Sequence, residues 1–322
     1  MPIGAPEARL EGLLFFLAMP ELPDVALYVE ALERRILGRR LEGVRLKSPF
    51  LLRSAVPPLT AASGRSVTRL ARLGKRIAIG LSTGPRAGEA PELFLLLHLM
   101  IAGRLHWRER SAPLPRRTDL AAFDFEGGTL TLTEAGTKKR ASLHVVADEA
   151  GLAAHDRGGL EPLACELAAF EERLRSSRHT LKRALCDPRL FSGIGNAYSD
   201  EILHRARLSP LQLARNLEPT ECARLLEATR ATLNEWIERL RSETGDGFPE
   251  KVTAFRPGMR VHGRFGQPCP VCAAPVQRIV RAENEVNYCP RCQTGGRILK
   301  DRALSVLLKD DWPATLEELE DR

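Results

Sequence analysis

No apolar run in this 322-residue chain approaches the roughly 20 residues that a membrane-spanning helix requires. Near the start, Leu13–Ala18 is six residues long and follows Glu7, Arg9 and Glu11 instead of a cationic head, so it does not read as a secretory leader. Internal repeats and low-complexity stretches are missing, and the composition excludes collagen, coiled coil and disulfide mini-protein. Neither sign of charge dominates: 48 Lys and Arg against 41 Asp and Glu leave +7. What remains, 43% hydrophobic and 28% charged, is the composition of an ordinary folded protein of two or three domains that buries a core without staples.

The small basic excess is unevenly placed. From Lys251 to Lys309 there are 11 Lys and Arg against three acids, Glu283, Glu285 and Asp301. From Asp310 to Arg322, six acids face one Arg. A basic block beside an acidic tail fits a nucleic-acid-facing module with a solvated end, and equally a merely basic surface.

Cysteine is sparse, seven in all, yet four fall as Cys269-Pro-Val-Cys272 and Cys289-Pro-Arg-Cys292. Two residues between thiolates let one tight turn aim both sulfurs at one metal, and two such turns complete a tetrahedral site. Zinc on four thiolates is structural, because no position stays open for water. Disulfide pairing is the alternative, and no secretion signal supports it. The expected compartment is therefore reducing and cytoplasmic. Cys165, Cys186 and Cys222 lie in helical pattern and read as small buried apolar groups.

Periodicity divides the chain. Val25, Tyr28, Val29, Leu32 and Ile36 recur at helical spacing, and Gly38 ends the run. Val44 with Leu46, Val67–Leu81 and Glu92–Trp107 then read as strands, and Ala122–Thr133 as a hairpin turning at Gly127-Gly128. From about Gly158 the pattern is helical, over Leu163–Arg175, Thr180–Cys186, Asn196–Arg207 and Thr220–Arg241. The cysteine pairs follow on a small β-ribbon.

Four blocks in order resemble the formamidopyrimidine-DNA glycosylase / endonuclease VIII (Fpg/Nei) family: Met19-Pro20-Glu21-Leu22-Pro23-Asp24-Val25, His98-Leu99 with Gly103, Gly193-Ile194-Gly195-Asn196-Ala197-Tyr198 with Glu201, and Val261-His262-Gly263-Arg264 leading into the cysteines. The resemblance spans about Pro20 to Thr294. It implies an α+β multidomain fold: an N-terminal β-sandwich with a leading helix over 20–150, a helical helix–two-turn–helix domain over 151–250 and a C-terminal Cys₄ zinc ribbon over 251–294. Residues 1–19 are then an extension or a misassigned start, and 295–322 an extension with an acidic tail, in which Ala303, Leu304, Leu307 and Leu308 have helical spacing.

The implied activity is a bifunctional DNA glycosylase/AP lyase that works as a monomer on damaged DNA, with one structural zinc. A lyase acting on abasic sites alone and a non-catalytic damaged-DNA-binding zinc protein are the alternatives. Excision needs a nucleophile at C1′ of the deoxyribose, and a secondary amine supplies one. Pro20 offers that amine only at the head of the mature chain, with Met19 as the initiator. Met1-Pro2 is a rival that lacks a following carboxylate. Glu21 is the implied general acid/base, with helix N-terminal electrostatics as its plainer role. Lys75 resembles the family's strand lysine that meets phosphate beside the lesion. His98, Arg140, Lys182, Asn196 and Arg281 are the implied DNA contacts, and Cys269, Cys272, Cys289 and Cys292 the zinc ligands.

The chain also departs from the pattern. Ile101 stands where the family has Met, and Gly136–Ala141 lacks the aromatic of the gap-filling loop. Asn284 replaces a phosphate-binding Arg, with Arg281 nearby, and Ser242–Phe255 does not match the lesion-capping loop of the 8-oxoguanine type. Extruding a base costs least when it is mispaired or single-stranded. The departures therefore point to oxidised pyrimidines, hydantoins or open DNA in preference to duplex 8-oxoguanine.

Overall fold

The structure, a computed structural model, describes residues 19–84, 90–250, 252–253, 256–281, 284–300 and 313–320. The stretches 1–18 and 301–312, with the expected extension and the Ala303–Leu308 spacing, lie outside the described residues. Two compact units form, one from residues 1–157 with 237–254 and the other from 158–236 with 255–322.

The first unit opens with α1 (Leu22–Ile36), which buries Val25, Tyr28, Leu32 and Ile36 at the spacing read from the sequence. Eight strands follow among the described residues: β1 (Leu41–Leu46), β2 (Ser66–Leu73), β3 (Arg76–Ser82), β4 (Leu93–His98), β5 (Gly103–Arg108), β6 (Asp119–Phe125), β7 (Gly128–Glu134) and β8 (Ser142–Ala147). They pair antiparallel as two four-stranded sheets, β1-β6-β7-β5 and β2-β3-β4-β8. Alternation decides which side chains face inward. Ile77, Ile79 and Leu81 of β3 join Leu95 and Leu97 of β4, Phe123 and Phe125 of β6 and the apolar face of α1 in one core. Ala78, Phe94, Leu96 and Val146 point the other way, onto Leu152 of α2 (Asp148–Ala153).

Two of the long strand readings are each split by a turn. Gly74-Lys75 separates β2 from β3, with Gly74 at φ +63°, and residues 99–102 separate β4 from β5. The hairpin between β6 and β7 turns at Glu126-Gly127, since Phe125 pairs with Gly128.

The second unit holds α3 (Leu167–Arg175), α4 (Leu181–Cys186), α5 (Asn196–Ala206) and most of α6 (Pro219–Thr244). Its ribbon is β9 (Gln277–Arg281) against β10 (Asn284–Tyr288), followed by α7 (Pro290–Thr294). Leu316 of α8 (Leu316–Glu320) packs with Val261, Val276 and the cysteines, so the described end of the chain lies on the ribbon.

Candidate active site and metal centre

In the first unit Pro20 is buried and Glu21 is 3% exposed, immediately before α1. Glu21 is the N-cap residue. Its side chain accepts the N–H of Asp24, whose carboxylate accepts the Glu21 N–H at 2.9 Å, a reciprocal capping box. Asp24 thus fixes the backbone that carries Glu21. One turn on, the buried Tyr28 hydroxyl accepts the Leu105 N–H at 3.4 Å, and burial pushes its phenol above the ordinary range.

Lys75 sits in the β2–β3 turn instead of on a strand. Arg76, His98 and Ser142 are cross-strand neighbours at that end of the sheet. Burial, with Arg76, Lys75 and His144 nearby, pushes His98 down to about 4, so its imidazole is neutral at pH 7. Gly103 closes the following turn, where a Cβ would lie 2.2 Å from the Leu99 carbonyl oxygen. Arg140 is exposed. Its N–H and that of Ala141 are held by the buried carboxylate of Glu134, at 2.8 and 3.2 Å. Glu134 therefore shapes the 135–141 loop, a role that the sequence did not suggest.

The segment after α6 is pinned to this unit. Arg35 donates to the Asp246 carbonyl at 2.8 Å and covers the Phe248 ring, which meets Tyr28 at 5.8 Å. Glu250 pairs with His106 and, at 3.0 Å, with Arg108, while Arg104 holds the Val252 carbonyl at 2.7 Å.

In the second unit, Gly193 at φ +80° and Gly195 as N-cap lead into α5, which Asn196 begins. The Asn196 amide donates to the Glu285 carbonyl of β10 at 2.9 Å. Lys182 is not the surface cation that a phosphate contact suggests. It is 5% exposed, 2.5 Å from Asp200, whose other oxygen meets His262 Nδ1 at 2.8 Å, and it also donates to the Asn196 carbonyl. Beside this network, buried Glu201 accepts the N–H groups of Arg260, Val261 and His262 at 2.7–2.9 Å. The Arg281 side chain lies outside what the structure describes.

The four cysteines converge as their spacing requires. Cys269 and Cys292 sulfurs are 3.9 Å apart, and those of Cys272 and Cys289 3.4 Å. A tetrahedral zinc with Zn–S of about 2.3 Å sets sulfurs about 3.8 Å apart, so the donors fit the ion. Burial pushes the Cys289 thiol up and the Cys292 thiol to about 11, a cost that a divalent cation relieves. His204, which no spacing in the sequence marks, joins the cluster: its Nε2 is 3.3 Å from Cys269 Sγ.

An antiparallel two-sheet unit behind a capped Pro-Glu pair, and a helical unit carrying a four-cysteine ribbon, define a class of zinc-ribbon proteins whose parts are recognisable separately. A family model described as the formamidopyrimidine-DNA glycosylase N-terminal domain matches residues 19–140, that glycosylase's H2TH domain matches 159–246, and the zinc finger found in FPG and IleRS matches 266–295. The chain belongs to the formamidopyrimidine-DNA glycosylase family. Among its relatives, the formamidopyrimidine-DNA glycosylase of Thermus thermophilus is 34% identical over 284 residues, 86% of this chain and 100% of that protein. That of Heliobacterium modesticaldum is 33% identical over 290 residues, 85% and 100% of the two chains. The crystal structure of the MutM (Fpg) protein from Thermus thermophilus superposes with a TM-score of 0.69 at 33% identity, covering 85% of this chain and 98% of that one. The Lactococcus lactis Fpg complex with abasic-site DNA shares the fold, with a TM-score of 0.72 at 23% identity over 85% and 99%.

Proposed function

We propose that this chain is a bifunctional DNA glycosylase/AP lyase of base excision repair, with Pro20 as the nucleophile of a mature chain that begins there. The observation that carries the reading is the Pro20-Glu21 pair, buried at the head of α1 with the Glu21 backbone locked by Asp24, one residue into the family match. The Pro20 nitrogen attacks C1′ and the glycosidic bond breaks. The base leaves with a proton, and the amine gives up its own. Glu21 protonates O4′ as the sugar ring opens, giving an iminium between C1′ and the proline nitrogen. Loss of a C2′ proton then expels the 3′ phosphate, and a second elimination expels the 5′ phosphate. Water finally frees the proline.

Lys75 and the neutral His98 suit phosphate contact beside the lesion, one as a point charge and the other as a neutral donor. Asn196 and the exposed Arg140 suit further contacts, as does Arg281 from its place on β9. Lys182 acts from below, by holding the Asn196 carbonyl at the start of α5. The zinc ribbon supplies structure to the helical unit and takes no part in the chemical steps. A cytoplasmic monomer acting on damaged DNA is the corresponding setting.

The pinned segment supports a reading of the substrate class. Phe248, Glu250 and Val252 are tied to α1 and β5 of their own unit, which disfavours a loop that closes over a flipped purine. Oxidised pyrimidines, hydantoins and open DNA are the preferred substrates. Dihydrouracil or spiroiminodihydantoin in single strands should turn over faster than 8-oxoguanine in duplex, and the reverse order contradicts the assignment. The nucleophile is tested by borohydride trapping on abasic DNA with chains starting at Met1 and at Met19. A covalent adduct from the shorter chain alone is expected, and adducts from neither leave only DNA binding.

A further inference from the structure

His204 projects from the last turn of α5 into the cysteine cluster, 2% exposed, with Nε2 3.3 Å from Cys269 Sγ. Its other nitrogen, Nδ1, is buried and has no hydrogen-bond partner. Among the described residues, ligand atoms of His204, Cys269, Cys289 and Cys292 lie within 4.8 Å of one another, and Cys272 Sγ is 3.4 Å from that of Cys289. Five donor groups therefore meet where a tetrahedral ion takes four. Two assignments are open: His204 displaces a thiolate as ligand, or it serves the ligands from outside.

Chemistry separates the two. Both CxxC turns are formed, and each holds its first sulfur by its own backbone: the Val271 N–H points at Cys269 Sγ at 3.5 Å and the Cys292 N–H at Cys289 Sγ at 3.4 Å. Four thiolates around zinc leave a formal charge of −2, and charge-assisted N–H···S bonds are what such a centre needs when buried. A neutral imidazole has one ring proton. With Nδ1 unpartnered, that proton belongs on Nε2, since an unprotonated Nε2 would set its lone pair against sulfur. A small cavity of about 100 Å³ beside Cys292 is lined by His204, Arg205, Arg207 and Arg260, so the same side of the cluster also faces cations.

We infer that His204 is a positioning residue of the zinc centre, donating Nε2–H to the Cys269 thiolate without binding the metal. The inference rests on the ribbon carrying zinc. The bond fixes the Cys269 sulfur in place, which slows loss of the metal.

The test uses the full chain loaded with zinc, with His204→Phe, which fills the space without a donor, and His204→Gln, which keeps an N–H. Zinc transfer to a chromophoric chelator should be about 10–100-fold faster from the Phe variant, the usual cost of losing such a partner, with the Gln variant close to the parent. Cobalt-substituted parent and Phe variant should both give a four-sulfur tetrahedral spectrum. Equal transfer rates overturn the role of His204 alone, and so does a parent cobalt spectrum with three sulfurs and one nitrogen that Cys272→Ser leaves unchanged. A parent that purifies without zinc overturns the metal reading itself. Should the Phe variant not fold, long-range nitrogen–proton correlation on the parent decides: the Nε2–H tautomer is expected, and the Nδ1–H tautomer contradicts the proposal.

Discussion

Glu21 serves two masters, as N-cap of α1 and as the acid beside the proposed amine. The two roles separate on substitution. Glu21→Gln keeps an acceptor for the Asp24 N–H and should change stability by less than about 1 kcal/mol, while base excision falls by at least about 10²-fold. Asp24→Ala should do the opposite in kind, removing the box and costing about 1 kcal/mol in urea unfolding. Equal activity in Glu21→Gln and parent would leave Glu21 only its capping role. His98 carries a pH signature. Its folded value of about 4 lies below the ordinary 6.5, so between these values the unfolded chain binds more protons and stability falls as the pH falls. Relative to His98→Gln, the parent should lose on the order of 1–2 kcal/mol between pH 6.5 and 4.5, allowing for partial exposure. Parallel curves for the two proteins would contradict a neutral, half-buried His98.

The elements show what the sequence made legible and what it did not. The helix read from Val25, Tyr28, Leu32 and Ile36 is α1, and Leu225, Leu226, Leu233 and Trp236 are buried on α6, within the helical stretch read over Thr220–Arg241. Periodicity reports a buried face well. It reports turns poorly: the two-residue Gly74-Lys75 turn joins β2 directly to β3, so Val67–Leu81 reads as one strand. The convergence of the four cysteines was legible because each CxxC spacing sets its own tight turn. Lys182, Glu134 and His204 were not, because each acts through a partner distant in sequence or through backbone groups. Lys182 is the sharpest case. As a surface phosphate contact its removal would hardly affect folding. As the partner of a fully buried Asp200 it cannot be deleted cheaply. Lys182→Met should cost about 3–5 kcal/mol in urea unfolding, and a loss below about 1 kcal/mol would return Lys182 to the surface role.

At the scale of the whole molecule, sequence pattern separates a ribbon from the helices before it, yet the two belong to one compact unit. Glu201 explains why: a helix residue spends its carboxylate on the backbone of residues 260–262, ahead of the first cysteine. Family motifs can mark Glu201 and Val261–Arg264 as separate blocks but cannot show that one holds the other. Likewise Ser242–Phe255 differs from the expected motif in sequence, and the attachment of Phe248, Glu250 and Val252 to α1 and β5 gives that difference a physical content. The proposed chemistry turns on one nitrogen atom. Borohydride-reduced complexes with abasic DNA, digested and mapped by mass spectrometry, locate the bond directly. A deoxyribose remnant on a peptide that begins at Pro20 is the expected result, and a remnant on Lys75 or any other lysine, with Pro20 unmodified, would contradict it.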